Sequence, residues 1–296
     1  MHAIRQAFAS AALASFICAA ACASGERVPP CEPCAAWNES QAPFKLFGNS
    51  WYVGTHGLGS ILITSDKGHV LIDGALRESA PRIAANVRAL GFKVEDIKVI
   101  LNTHDHYDHA GGIAELQRLS GAKVMASPPS AKVLEAGESG PDDPQFGVLQ
   151  PIAKIAQVTT LKDGDTVRVG PLALVAHFTP GHTAGGTSWT WKSCEAARCL
   201  NMVYADSLTP VSAPKFRFTG NTPLLAQFEK SYATLDALAC DILITPHPEI
   251  SNLWERLERR ESQGIRDALL ETAACDMYVE ASRERLRKRL AQESAN

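Results

Sequence analysis

A chain of 296 residues, 45% hydrophobic and 21% charged, is long enough to bury a sizeable core and ordinary in composition for a globular protein. Its net charge of −3 leaves no basic footprint, which argues against a nucleic-acid partner. No internal repeat or low-complexity tract stands out.

The first residues read as an export signal. Arg5 supplies the positive start, and Ala7–Ala21 is apolar, rich in small residues and short for a membrane span. Ala21-Cys22-Ala23 fits a small-x-small cleavage site. No Leu stands three residues before Cys22, which speaks against a lipid anchor there. Removing residues 1–23 takes away one Arg and no acid, so the net charge moves from −3 to −4. Residues 24–296 are expected to form a single domain with no stable membrane span.

Six cysteines then remain: Cys31, Cys34, Cys194, Cys199, Cys240 and Cys275. An even number in an exported protein suggests disulfides. Cys194 and Cys199 flank a short polar loop between two strand-like runs. Cys240 and Cys275 can tie the end of one helix to a later one. Cys31 and Cys34 are the least determined pair. None of the six is expected to ligate metal, since no second CxxC or nearby His completes a site.

In chain order, residues 26–43 are polar and Pro-rich and read as a surface run. Phe44–Val53 begins a sheet. Ser60–Ser65 and His69–Asp73 flank Asp66-Lys67-Gly68, a hairpin signal. Ala80–Leu90 carries Ile83, Val87 and Leu90 at helical spacing. Ile97–Leu101 is a buried strand, Ile113–Leu119 a helix, Ala122–Ala126 a strand, and Pro128–Ala136 a helix started by two prolines. Gly137–Gly147 has no periodicity and reads as a long loop. The sequence leaves open whether its Gln145 and Phe146 meet a substrate. Gln157–Leu161, Thr166–Val169 and Leu172–His177 are β-like, as are Gly186–Trp191 and Leu200–Ala205. Thr222–Leu238 puts Leu225, Phe228, Tyr232, Leu235 and Leu238 on one helical face. Asp241–Thr245 is a buried strand, and Ser251–Leu290 is mostly helical. Strands alternating with helices predict a layered α/β architecture.

The chemistry concentrates in Asn102–Gly112, a strand-to-helix loop that holds His104, His106, Asp108 and His109 within six positions. Imidazole nitrogens and a carboxylate oxygen are ligands for Zn²⁺. Loops held by rigid flanking elements are where such groups gather. Two further histidines follow strand-like runs: His182 in Pro-Gly-His-Thr and His247 in Thr-Pro-His-Pro. Each alone is as plausibly structural as a ligand.

His104-Asp105-His106-Tyr107-Asp108-His109 resembles the HxHxDH signature of the metallo-β-lactamase fold superfamily, and His182 and His247 complete its ordered pattern. The resemblance runs from about Phe44 to Asn252. It implies an αββα sandwich, two mixed β-sheets flanked by helices. It also implies that His104, His106 and His182 hold one zinc and that Asp108, His109 and His247 hold a second. Three protein ligands leave each ion an open position, the mark of a catalytic site.

Within that superfamily the chain is most similar to class B β-lactamases of the third subclass. Ser207 stands where two other subclasses place a cysteine ligand, and His109 is available instead. The runs Trp51–Thr55, Leu71–Gly74, Tyr204–Ser207 and Thr245–Pro248 are similar to that subclass as well. The resemblance implies opening of a β-lactam ring amide by a metal-bound hydroxide that Asp108 orients. Ser207, Thr209 and Thr183 are the implied substrate contacts. A small-molecule antibiotic is the implied partner, and a monomer in the periplasm the implied setting. The alternative is an exported lactonase or glyoxalase-II-like thioesterase on the same two-metal site. Those enzymes use an Asp in the region of Asp206 to bridge the metals, so the position of Asp206 separates the readings.

Overall fold

The computed structural model describes residues 30–295. The expected export signal, 1–23, lies outside the described residues. A short helix α1 (Cys34–Trp37) precedes an antiparallel meander of β1 (Phe44–Phe47), β2 (Ser50–Tyr52), β3 (Ile61–Ile63) and β4 (His69–Ile72). Helix α2 (Ala80–Ala89) crosses to β5 (Ile97–Leu101), which lies parallel to β4. After α3 (Tyr107–Ala110) and α4 (Ile113–Ser120) come β6 (Lys123–Ala126), α5 (Pro128–Ala136) and β7 (Val158–Thr160), each strand again parallel to the one before. These seven strands lie in sequence order in one sheet.

The second sheet has five strands: β8 (Thr166–Val169), β9 (Leu172–Phe178), β10 (Thr187–Glu195) and β11 (Arg198–Tyr204) are antiparallel neighbours. Helix α6 (Thr222–Asp236) then leads to β12 (Ile242–Ile244), which adds parallel to β11 at the edge. Helices α7 (Leu253–Ser262) and α8 (Ala274–Ser294) close the described chain. No helix among the described residues is long and apolar enough to cross a membrane.

Three apolar layers explain the arrangement. Between the sheets, Tyr52, Ile61, Ile72 and Leu101 pack with Leu174, Trp189, Met202 and Ile244. On the outer face of the first sheet, Leu62, Leu71 and Ile100 meet Ile83, Ile113 and Leu116 from α2 and α4. Val203 and Leu243 on the outer face of the second meet Phe228, Tyr232 and Val279 from α6 and α8. Central strands are therefore covered on both faces. Runs such as Val70-Leu71-Ile72 are apolar without alternation for that reason. Burying each such side chain contributes about 1.5–3 kcal/mol. The expected αββα sandwich of two mixed sheets flanked by helices is the fold observed.

Four local expectations change. The surface run at 26–43 contains α1, closed by a Cys31–Cys34 disulfide. Residues 107–110 of the histidine-rich stretch are a helical turn rather than loop. Strands β10 and β11 extend to a hairpin at Ala196, where φ is 51°, so Cys194 and Cys199 are a cross-strand pair as well as a disulfide. The helical tail is interrupted between α7 and α8, where Gly264 has φ 69°. The Cys240–Cys275 disulfide ties the segment after α6 to α8, as expected.

Candidate metal centre

Strand β5 delivers the histidine stretch, and buried polar groups pin its first residues. Trp189 Nε1 donates to Asn102 O at 2.9 Å, and Thr187 N donates to Thr103 O at 2.8 Å. The Asp73 carboxylate accepts from Thr103 N at 2.7 Å and Thr103 Oγ1 at 2.9 Å. Burial pushes Asp73 up to about 7, against the lowering effect of those hydrogen bonds. The far end of the stretch is pinned by close backbone approach: Gly74 N donates to His109 O at 2.8 Å. A Cβ at Gly112 would lie 2.2 Å from Gly74 O, so only glycine fits there.

Two loops from distant parts of the chain, those of His182 and His247, converge on this turn. His104, His106 and His182 sit with ring centroids 4.8–4.9 Å apart, and one ligand atom from each lies within 4.8 Å of the others. His104, Asp108 and His109 meet the same criterion. His247 completes the group: its ring centroid is 4.8 Å from that of His109, and its Nε2 is 3.3 Å from Asp108 Oδ2. His109 Nε2 is 3.2 Å from the same oxygen but off the line of a hydrogen bond, so both His109 nitrogens lack a hydrogen-bond partner. All six residues named as ligands are therefore in one cluster.

The cluster is oriented from behind. His104 Nδ1 is 2.7 Å from Asp206 Oδ1, His106 Nε2 is 2.8 Å from Asp143 Oδ2, and His182 Nδ1 is 2.8 Å from the carbonyl of Thr209. Each acceptor engages one ring nitrogen and leaves the other lone pair for the centre. Asp206 is fully buried, with one oxygen on His104 and the other where a Cβ at Gly186 would come within 2.4 Å of it. It belongs to neither group of candidate ligands, and Oδ2 has no hydrogen-bond partner. Tyr278 of α8 holds this segment, donating to Asp206 O at 2.6 Å and accepting from Leu208 N at 3.1 Å.

Burial and the neighbouring imidazoles hold His104 well below the usual histidine range. Burial, reinforced by His106, takes His182 down to about 3. Both rings are neutral with a lone pair free. Burial would raise Asp108, but His109 and His247 outweigh it and keep the carboxylate well below its ordinary value. Buried nitrogens without partners are costly. His104 Nε2 and both His109 nitrogens are in that state. Nitrogen lone pairs beside an anionic carboxylate are the donor set of a metal ion, which would satisfy them. The residues present fit a metal.

The implied hydroxyl contacts lie beside the centre. Thr183 follows His182, is buried, and has no partner for Oγ1. Thr209 Oγ1 is 3.3 Å from His182 Nδ1, and Ser207 follows Asp206 on the same segment. The Gly137–Gly147 loop reaches the centre through Asp143, a residue that no spacing in the sequence singles out. Gln145 Nε2 also comes 3.4 Å from His106 Nδ1, whereas Phe146 is half exposed. Trp37 of α1 lies 5.2 Å from the His247 ring. A four-residue helix gives no periodic signal that could have announced it. All six described cysteines are in disulfides, including the Cys31–Cys34 pair that the sequence left least determined, so none offers a free thiolate.

Residues 59–199 match the family model described as the metallo-beta-lactamase superfamily. Among solved structures, the Rm3 metallo-beta-lactamase is 55% identical with a TM-score of 0.87, covering 90% of this chain and 100% of that one. MEM-A1, a subclass B3 metallo-beta-lactamase from a soil metagenome library, is 50% identical with a TM-score of 0.85, covering 88% and 99%. A hydroxyacylglutathione hydrolase of Rhodopseudomonas palustris (strain BisB5) is 33% identical over 149 residues, 50% of this chain and 46% of that one. The chain spans about half the length of the curated relatives it matches.

Proposed function

We propose that this chain, which belongs to the metallo-beta-lactamase superfamily, hydrolyses the amide of the β-lactam ring with two zinc ions. His104, His106 and His182 would hold the first ion, and Asp108, His109 and His247 the second. When bound, the pair would supply Lewis-acid polarisation of the ring carbonyl and acidify a water toward a pKa of about 7. Asp108 stays anionic beside His109 and His247, so it can accept a hydrogen bond from the attacking water and set its direction. Asp206 and the Thr209 carbonyl keep His104 and His182 in the tautomers that present a lone pair. The hydroxyls of Ser207, Thr209 and Thr183 would receive the antibiotic's carboxylate.

The observation that carries this reading is the place of Asp206. A bridging Asp is the device expected of a thioesterase or lactonase, and here Asp206 belongs to neither group of candidate ligands and sets its Oδ1 2.7 Å from His104 Nδ1. Likeness to B3 enzymes over nearly the whole chain points the same way, against likeness to hydroxyacylglutathione hydrolases over half of it. Three disulfides suit an exported protein, and we place it in the periplasm as a monomer. The test is to assay nitrocefin and meropenem beside an acyl lactone and a thioester. Turnover of the first two, abolished by a chelator, is expected. Turnover of only the last two would overturn the β-lactam reading.

A further inference from the structure

We infer that Asp143, from the 137–147 loop, is a positioning residue that fixes the tautomer of His106 and so governs how firmly the first metal is held. His106 is almost fully buried, and Asp143 Oδ2 at 2.8 Å is the acceptor that engages its Nε2. With the proton held on Nε2, the lone pair is on Nδ1. That is the nitrogen Gln145 Nε2 approaches at 3.4 Å, as a donor approaches an acceptor.

The carboxylate cannot easily turn away. Its other oxygen accepts from Gln145 N at 2.7 Å, and its own backbone is tied on both sides, Asp143 N to Gly140 O and Phe146 N to Asp143 O, each 3.0 Å. The loop is moored in turn, because Ala213 N donates to Pro144 O at 2.9 Å. Ala213 lies just beyond Thr209, whose carbonyl holds His182. One strap of hydrogen bonds thus supports two of the three histidines. It makes the loop part of the metal centre rather than a surface excursion.

This inference rests on the metal reading but not on the identity of the substrate. Its test uses zinc-loaded protein labelled with ¹⁵N-histidine, and reads the His106 Nε2 proton and zinc retention against a competing chelator. Wild type should show a slowly exchanging Nε2 proton. Asp143→Ala should lose that proton to solvent exchange and weaken the affected zinc about 10- to 100-fold. Asp143→Asn keeps an acceptor oxygen and should fall between the two. Asp142→Asn, on the neighbouring residue, should behave as wild type. An Asp143→Ala protein that melts with wild type, keeps its Nε2 proton and holds zinc within about threefold of wild type would overturn the inference. If that variant does not fold, Asp143→Asn with a wild-type proton and wild-type retention overturns it equally. Wild type that binds no zinc would overturn the metal reading and this inference together.

Discussion

The two halves of the centre are built to different standards. His104, His106 and His182 are 0%, 3% and 6% exposed, and each has its second nitrogen against an acceptor. The other half shares a single Asp108 oxygen between His109 and His247. The His109 ring nitrogens have no hydrogen-bond partner, the His247 side chain is 27% exposed, and the support for His247 is the tilted face of Trp37. Preorganisation is therefore uneven. A rigid, buried set of three imidazoles, each held by an acceptor, faces a more open set that can adjust as a small molecule arrives. The first should hold its ion tightly, and the second should be easier to empty.

Variants can break or sharpen that contrast. His104→Ala removes one of the three imidazoles of the buried half. Metal stabilisation is worth several kcal/mol, so kcat/KM for nitrocefin should fall about 1000-fold or more. His247→Ala acts on the open half alone. It should cost about 100-fold, with one zinc retained per chain by elemental analysis. Equal metal loss in the two variants would mean the halves do not differ. Asp206→Ala frees the His104 tautomer and should weaken zinc retention about 10- to 100-fold, while Asp206→Asn, which keeps an acceptor, should lose less. Trp37→Ala should loosen only the second ion, by less than about tenfold, because an aromatic contact is worth about 0.5–1.5 kcal/mol. Reducing the Cys31–Cys34 disulfide beside it should act in the same direction.

A control at a carboxylate whose hydrogen bonds involve none of the six clustered residues separates metal effects from stability. Glu293 accepts from Thr219 N at 2.8 Å, Phe218 N at 3.1 Å and Arg289 Nε at 2.7 Å. Burial would raise this carboxyl, but those donors outweigh it and bring it down to about 2. A carboxylate depressed in the folded state stabilises fully above its unfolded value of about 4.3, and that gain is lost as pH falls toward about 2. Glu293→Gln should therefore lower the melting temperature at pH 7, by the equivalent of about 1–3 kcal/mol, and flatten its decline in acid. Zinc content should not change.

The proposed ligands were legible because the chemistry confines them: histidines and an aspartate packed into one short stretch, then two histidines after strand-like runs, each beside Pro or Gly. Strands such as Ile97–Leu101 were legible because coverage on both faces makes them apolar at every position but the exposed Lys98. What supports the ligands was not. Asp143, Asp73 and Tyr278 act across 37, 30 and 72 residues of sequence, and no local spacing encodes a partner at that range. Asp206 was visible as a residue, but its direction depends on Gly186 and on the tautomer of His104, which only packing decides.

The most direct test of the account is to count zinc in the purified protein while following hydrolysis of nitrocefin and meropenem, before and after dialysis against a chelator. The account predicts about two ions per chain, hydrolysis of both drugs, loss of activity in the chelator and its return with added zinc. Full activity in metal-free protein, or a fully loaded protein that leaves both drugs intact, would contradict it.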